Sequence, residues 1–189
     1  MARAGLTPDR LARAGAELAD QIGFDQVSPS ALARHFGVQV ASLYSHVRGA
    51  HDLKTRIAQV ALDEMADRAV AALAGRAGRD ALVALATVYR DYAHDHPGRY
   101  AASQYRVDPG SAAVEAGRRH SELTRAVLRG YDLGEPAQTD AIRLLGSLFN
   151  GYIGLELGGS FAHSAPGSDE SWSRILDAID KLLRNWTTS

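Results

Sequence analysis

The chain carries the segment SPSALARHFGVQVASLYSH at residues 28–46. Ser28 followed by Pro29 is typical of a helix start. The serine hydroxyl can accept a hydrogen bond from a backbone amide of the first turn, and proline has no amide N–H that would lack a partner there. A glycine such as Gly37 is typical of the residue that ends an α-helix by adopting a left-handed backbone conformation. The segment therefore predicts two short helices joined by a turn at Gly37, the second being small and polar on its exposed side. This is the pattern of a helix-turn-helix, whose second helix enters the DNA major groove.

Helix signals continue on both sides of this segment. Thr7 and Pro8 predict the start of a preceding helix, and Gly23 predicts its end. A longer helix follows from about Ala50 to a glycine-rich break at residues 75–78. Beyond the break, helical patterns cover residues 80–95, 111–130, 136–158 and 169–186, with a short segment at 98–105 and no alternating strand pattern.

These patterns predict an all-α chain with two domains. A three-helix, helix-turn-helix DNA-binding domain is expected at residues 1–50, with a lever helix that reaches about residue 75. A larger helical domain is expected at residues 79–189.

Composition excludes several classes of function. The 189 residues include no cysteine, which rules out disulfides, thiolate metal sites and a cysteine nucleophile. No P-loop, dinucleotide-binding glycine motif or GxSxG elbow is found. No apolar run approaches the roughly 20 residues of a membrane span, and no signal peptide is recognised. We expect a soluble, cytoplasmic protein with no membrane association.

The charge of the amino-terminal region is modest for a protein that binds nucleic acid. The net charge of the whole chain is −1, and residues 1–55 hold six Arg and Lys against five Asp and Glu. Phosphate attraction should therefore be weak, which predicts a shallower salt dependence than strongly basic DNA-binding proteins show.

The second helix of the motif offers short or polar side chains that allow close approach to base edges. Serine and glutamine can exchange hydrogen bonds with bases, and small methyl groups can contact thymine. Tyr44 is placed to contact a phosphate, as are the amides at the start of the Ser28 helix and three basic residues beyond the motif. The alternative is a helical corner with no ligand. The candidate DNA-contacting residues are Ser28, Ser30, Gln39, Val40, Ala41, Ser42, Tyr44, Ser45, His46, Arg48, His51 and Lys54.

Residues 23–53, GFDQVSPSALARHFGVQVASLYSHVRGAHDL, resemble the DNA-binding domain of the TetR/AcrR family of bacterial regulators. The resemblance extends over residues 6–65 and includes the ending Leu-Tyr-x-His-aliphatic at residues 43–47. Ala50 stands where the family commonly has a phosphate-binding lysine. A weaker resemblance, at LFNGYIGLELGGSF in residues 148–161, is to the subset with a WHG-type C-terminal domain.

This resemblance implies a ligand cavity within each subunit and a dimer interface between subunits. Aromatic side chains with a few polar tips suit a small, mostly apolar ligand, although each residue alone is more often a core residue with a satisfied hydroxyl. The candidate ligand-binding residues are Tyr89, Tyr92, Tyr100, Tyr105, Phe149, Asn150 and Tyr152.

The last predicted helix has an apolar stripe that is too wide for one partner helix, and Gly151, Gly154 and Gly158 allow close approach to the helix before it. Two such helices from each of two chains would form a four-helix interface, unless the stripe belongs to a self-contained core. The stripe consists of Trp172, Ile175, Leu176, Ile179, Leu182, Leu183 and Trp186.

The sequence thus predicts a homodimeric regulator, a repressor of transcription, that binds a palindromic operator in double-stranded DNA and is released by a small-molecule effector. No cofactor, metal or catalytic residue is expected; His94 and His96, two apart on a helix, do not share a face. The alternatives are a helical small-molecule-binding protein without operator binding and a small helical enzyme that uses the aromatic cavity.

Overall fold

A computed structural model describes residues 5–186, which contain eight α-helices and no β-strand. The all-α prediction is confirmed. The helices are α1 (Pro8–Ile22), α2 (Pro29–Phe36), α3 (Ala50–Leu73), α4 (Gly78–Asp95), α5 (Pro97–Ser103), α6 (Ala112–Leu128), α7 (Glu135–Leu157) and α8 (Ser168–Arg184).

The chain divides into two compact units that are discontinuous in sequence. The first unit comprises the chain up to residue 65 together with residues 95–118, and the second comprises residues 66–94 together with the chain from residue 119. The predicted domains at residues 1–50 and 79–189 divide the chain by function. The compactness of the two units does not test a functional division, and the predicted domain bounds therefore stay a prediction.

The predicted start and stop signals of α1 and α2 are confirmed. The hydroxyl of Thr7 accepts from the Arg10 amide at 3.1 Å, and the hydroxyl of Ser28 accepts from the Ala31 amide at the same distance. Gly37 ends α2 at φ +65°, a conformation that glycine adopts without steric cost. Local chemistry at each helix end thus fixes where the two helices begin and end.

The core of the first unit lies between α1, α2, the start of α3 and α5. Apolar residues three and four apart on each helix face inward, as an amphipathic helix requires. Fully buried members include Leu11, Leu32, Leu43, Leu53, Ile57 and Ala102, with Phe24 and Val27 from the connection between α1 and α2.

The second helix of the predicted helix-turn-helix differs from the expectation. It is a single 3-10 turn at Val40–Ser42, followed by turns through residue 46 rather than an α-helix. The hydroxyl of Ser45 donates to the Ser42 carbonyl at 2.9 Å, a side-chain bond of the kind that competes with helical pairing. So short a segment also lacks enough successive hydrogen bonds to favour an α-helix.

Helix α5 packs against α1 at unusually short range. A Cβ atom added at Gly98 would lie 2.0 Å from the Ala19 carbonyl oxygen, so only glycine allows this approach. The sequence predicts only a short segment at residues 98–105. In the structure this segment is largely the helix α5, Pro97–Ser103, which belongs to the first unit.

The second unit is built around the buried faces of α4, α7 and α8, which contribute Leu82, Leu85, Leu145, Ile153, Leu176 and Leu183. A polar contact is buried among them. The hydroxyl of Tyr131 donates to Asp180 at 2.8 Å, and Arg184 donates to the other carboxylate oxygen at 2.9 Å. The Arg184 bond lowers the pKa of Asp180, whereas burial raises the pKa of Tyr131. The pair thus ties α8 to the chain before α7.

Candidate nucleic-acid interface and effector site

Residues 39–46, in the connection between α2 and α3, form the recognition segment. Two buried residues hold it in place, Leu43 within the segment and Val47 directly after it. Leu43 and Val47 are fully buried, and the Val47 amide donates to the Leu43 carbonyl at 3.0 Å. At the other end, the Val38 amide donates to the Ala33 carbonyl at 3.0 Å. The anchors fix which side of the segment faces outward.

The outward side carries most of the predicted base-contacting residues. Gln39, Ala41, Ser42 and Ser45 are exposed, and Val40 and His46 are half-buried. Tyr44 is 57% exposed. The exposed side chains on this surface are short apart from Gln39 and Tyr44, so a flat or grooved partner can approach the backbone closely.

At the start of α2, Pro29 has no N–H and the Ala31 and Leu32 amides donate to Ser28, which leaves the Ser30 amide as the donor at this helix end. Ser28 is half-buried and its hydroxyl is used as the helix cap, whereas Ser30 is exposed. The first amides of a helix attract anions, so this end of α2 fits a phosphate.

The three basic candidates beyond the recognition segment differ in how their side chains are engaged. Both ring nitrogens of His51 have partners, the Tyr105 hydroxyl and the Asp108 carboxylate, each at 2.9 Å. Lys54 Nζ lies 4.9 Å from the centre of the Phe24 ring. Arg48 is exposed, and its backbone amide donates to Asp52 at 2.9 Å. Of these three basic residues, Arg48 is thus the one whose side chain is most available to a phosphate.

A network around Asp20 joins α1, α3 and α5, and the sequence did not predict it. The Asp20 carboxylate accepts from the Arg99 amide at 2.9 Å and lies 3.1 Å from His96 Nδ1. Arg99 also donates to Glu64 of α3 at 3.1 Å. An acidic residue in the last turn of α1 opposes the helix dipole, which was the one available signal that Asp20 has a distant partner.

The predicted ligand-binding residues fall into separate places. Tyr89, Phe149 and Tyr152 lie in one aromatic cluster of the second unit, which also includes Trp172 and Phe161. From the sequence, Trp172 is expected only as part of the apolar stripe of the last helix. The structure does not bring the others into this cluster: Tyr92 is buried beneath Arg68, Asn150 is exposed, and Tyr100 and Tyr105 belong to the first unit.

Polar groups around the aromatic cluster are largely paired. The Tyr89 hydroxyl lies 2.7 Å from His120 Nδ1, and the Tyr152 hydroxyl donates to the Ser168 carbonyl at 2.7 Å. Arg90, whose guanidinium lies over Trp172, makes a two-pronged ion pair with Glu156 at 2.8 and 2.5 Å. The Arg90 bonds lower the pKa of Glu156 to about 2, so this carboxylate is charged at neutral pH.

Glu156→Gln is expected to lower the free energy of unfolding at pH 7 by about 2 kcal/mol, because Arg90 keeps only its exposed partner Asp169. The pKa of Glu156 is lowered in the folded chain from an ordinary value of 4.5. Stability from the carboxylate is therefore complete above about pH 5 and is lost as the pH falls towards 2. Urea unfolding followed by circular dichroism should show that the free energies of unfolding of the parent and of Glu156→Gln converge over that pH range.

The matched control is Glu17→Gln, because Glu17 is exposed and lies in the middle of α1, away from both helix ends. This variant should differ from the parent by less than about 0.5 kcal/mol at every pH. A gap between Glu156→Gln and the parent that stays constant from pH 7 to pH 3 would contradict the assignment.

Comparison with known proteins assigns the family. The family model described as "Tetracyclin repressor-like, C-terminal domain" matches residues 82–179, just over half of the chain. The chain belongs to the TetR family of transcriptional regulators. Members of this family are regulators rather than enzymes, and the resemblance predicted from residues 23–53 is confirmed.

Two relatives are similar over most of the chain. An uncharacterized HTH-type transcriptional regulator of Bacillus subtilis (strain 168), YobS, is 30% identical over 150 residues, or 79% of this chain and 78% of the relative. The Mycobacterium tuberculosis (strain ATCC 25618 / H37Rv) regulator Rv0681, also uncharacterized, is 35% identical over 145 residues, covering 74% of this chain and 65% of the relative.

A solved structure shows the same fold. A TetR variant from Acinetobacter baumannii AYE, crystallised in complex with minocycline, superimposes with a TM-score of 0.73 over 97% of this chain and 99% of that one, at 20% identity. Within residues 5–186, no helix combines the length and apolar character needed to cross a membrane.

Proposed function

We propose that this TetR-family regulator is a repressor that binds a palindromic operator as a homodimer and is released by a small molecule. The observation that carries the proposal is the recognition segment, whose buried anchors Leu43 and Val47 leave a row of short or polar side chains facing outward. Gln39, Ala41 and Ser42 read base edges, and Tyr44, Arg48 and the start of α2 position the segment on phosphates. A regulator that binds an operator is expected to act in the cytoplasm.

Dimerisation is supported by apolar side chains left exposed on α7 and α8. Leu155 is 52% exposed and Leu182 is 47% exposed, and Ile175 on the same edge of α8 as Leu182 is half-buried. A Cβ atom added at Gly151 would meet nothing within 4 Å, so the surface of α7 can receive another helix. A two-fold pair of these helices would form a four-helix interface and supply the two recognition segments that a palindrome requires.

Effector release requires a link between the ligand and the recognition segment. Helix α3 begins three residues after Val47, and it contributes residues 50–65 to the first unit and 66–73 to the second. In the proposal, an effector bound in the second unit displaces α3 and so changes the separation of the two recognition segments. It acts only through its difference in affinity for the two separations.

Tyr44→Ala is expected to weaken binding to the operator and to random duplex by the same factor, about 3- to 10-fold, because Tyr44 contacts phosphate and not base. Ser42→Ala is the matched comparison, since it should change which bases are preferred and leave random-duplex affinity nearly unaltered. Fluorescence anisotropy with both duplexes measures the two factors. A Tyr44→Ala effect confined to the operator, or a Ser42→Ala effect equal on both, would contradict these roles.

The proposal is tested by selection from a pool of randomised duplexes with the full chain at low ionic strength. The expected product is a two-fold symmetric motif whose half-site centres are about 34 Å apart, or a multiple of that distance. Sedimentation of the free protein should give a dimer. Selection without enrichment, or a protein that stays monomeric at every working concentration, would overturn the proposal.

A further inference from the structure

The aromatic cluster of the second unit contains one buried hydrogen-bond donor that has no acceptor. Trp172 is 5% exposed, and among residues 5–186 nothing accepts a hydrogen bond from its Nε1. Buried polar groups are paired in the great majority of cases, and an unpaired one is costly. An indole N–H can only donate, so whatever pairs with it must bring an acceptor atom.

The surroundings of this donor are flat and apolar. The Phe149 ring lies 5.7 Å from the Trp172 ring and the Tyr152 ring lies 4.8 Å from it, centre to centre. The Phe161 ring lies 4.9 Å from Tyr152. Phe161 belongs to the connection between α7 and α8, whereas the other three rings are on helices. It is therefore the ring that can move aside with the smallest disturbance of the core.

The charged groups beside the cluster are already paired with one another. Arg90 donates to Glu156 and to Asp169, the latter at 2.6 Å, and Glu156 also lies 3.0 Å from His94 Nε2. The hydroxyls of Tyr89 and Tyr152 are both used. A charged ligand would thus find no unpaired opposite charge among these groups, and would lose its hydration on entering.

We infer that the effector is an uncharged aromatic molecule with an acceptor oxygen, which stacks on Phe149 and Tyr152 and accepts a hydrogen bond from Trp172 Nε1. This inference rests on the proposed function, because it names the chemistry of the ligand that releases the repressor. The ligand replaces Phe161 as the neighbour of Tyr152.

The experiment compares four small probes of similar shape. Acetophenone has the ring and a carbonyl acceptor, ethylbenzene lacks the acceptor, benzoate is an anion, and phenethylammonium is a cation. Each is titrated into ¹⁵N-labelled full-length protein, and the two indole N–H signals, from Trp172 and Trp186, are followed by NMR. The variant Trp186→Phe assigns the Trp172 signal and serves as the binding control.

Acetophenone is expected to move the Trp172 indole proton downfield and to bind about fivefold more tightly than ethylbenzene, as one net hydrogen bond would give. Neither ion should move that signal. In Trp172→Phe the preference for acetophenone over ethylbenzene should disappear, while it persists in Trp186→Phe. The wild-type probe comparison is decisive by itself if Trp172→Phe does not fold.

An indole signal that no probe moves would overturn the inference, as would tighter binding of either ion than of acetophenone. Operator binding is measured separately, so its failure is distinguishable from failure of the ligand chemistry. If the operator is bound but the Trp172 signal never responds, the inferred effector site is wrong, whereas the proposed repressor function is supported. If the Trp172 signal responds but no duplex is bound, the inferred ligand chemistry is supported, whereas the proposed repressor function is wrong.

Discussion

Ala41→Glu is expected to reduce operator affinity by about 100-fold or more while leaving the fold unchanged. Ala41 is exposed in the recognition segment, so the longer side chain does not disturb the core. In the complex it would prevent the backbone from reaching base edges and would place a carboxylate among phosphates. Because the proposed dimer presents two recognition segments, the penalty would apply twice.

The matched control is Ala101→Glu, which makes the same change at an exposed position of α5 in the same unit. Operator affinity of this variant should stay within about threefold of the parent, because Ala101 lies outside the recognition segment and an exposed charge is screened by salt. Anisotropy titrations at one salt concentration compare the three proteins, and circular dichroism verifies folding. Equal losses for the two variants would show that net charge, rather than the recognition segment, governs binding.

Gly98→Ala is expected to destabilise the protein by roughly 3 kcal/mol or more. The added Cβ would lie 2.0 Å from the Ala19 oxygen and 2.5 Å from the Asp20 amide nitrogen, and both atoms are backbone. No rotamer change can relieve such an overlap, so α5 must move away from α1. That movement would also separate Arg99 from the Asp20 carboxylate.

Gly117→Ala is the control, because it is the same substitution in the interior of α6 at a site where a Cβ meets nothing within 4 Å. Helix propensity predicts a gain of about 0.5–1 kcal/mol there. Urea unfolding at one fixed protein concentration measures both variants, since the stability of the proposed dimer would depend on concentration. If Gly98→Ala were as stable as the parent, the close packing of α5 on α1 would be wrong.

The features that the sequence predicted are those fixed by neighbouring residues. Thr7, Ser28 and Gly37 act on their own helix ends, so the boundaries of α1 and α2 could be derived without knowledge of the rest of the chain. The position of the recognition segment followed for the same reason. Its conformation did not, because a 3-10 turn and a short α-helix have the same apolar anchors.

Features formed by residues distant in sequence could not be predicted. Asp20 and His96 are 76 positions apart, and His51 and Asp108 are 57 apart. Nothing in the local pattern says that α5 joins the first unit, since its seven residues fit a connection equally well. The sequence groups the aromatic residues by their chemistry and by the helices expected to surround a ligand, which puts Tyr100 and Tyr105 together with side chains of the other unit.

Direct contact between the recognition segment and DNA is central to the proposed function, and hydrogen exchange measures that contact. Backbone amide exchange in peptides covering residues 38–47 is compared with and without the selected operator, with peptides from α8 as the internal reference. The recognition segment should exchange more slowly in the complex, α8 should be unchanged, and Ala41→Glu should show no slowing. A complex that forms while residues 38–47 exchange at the free rate would contradict the account.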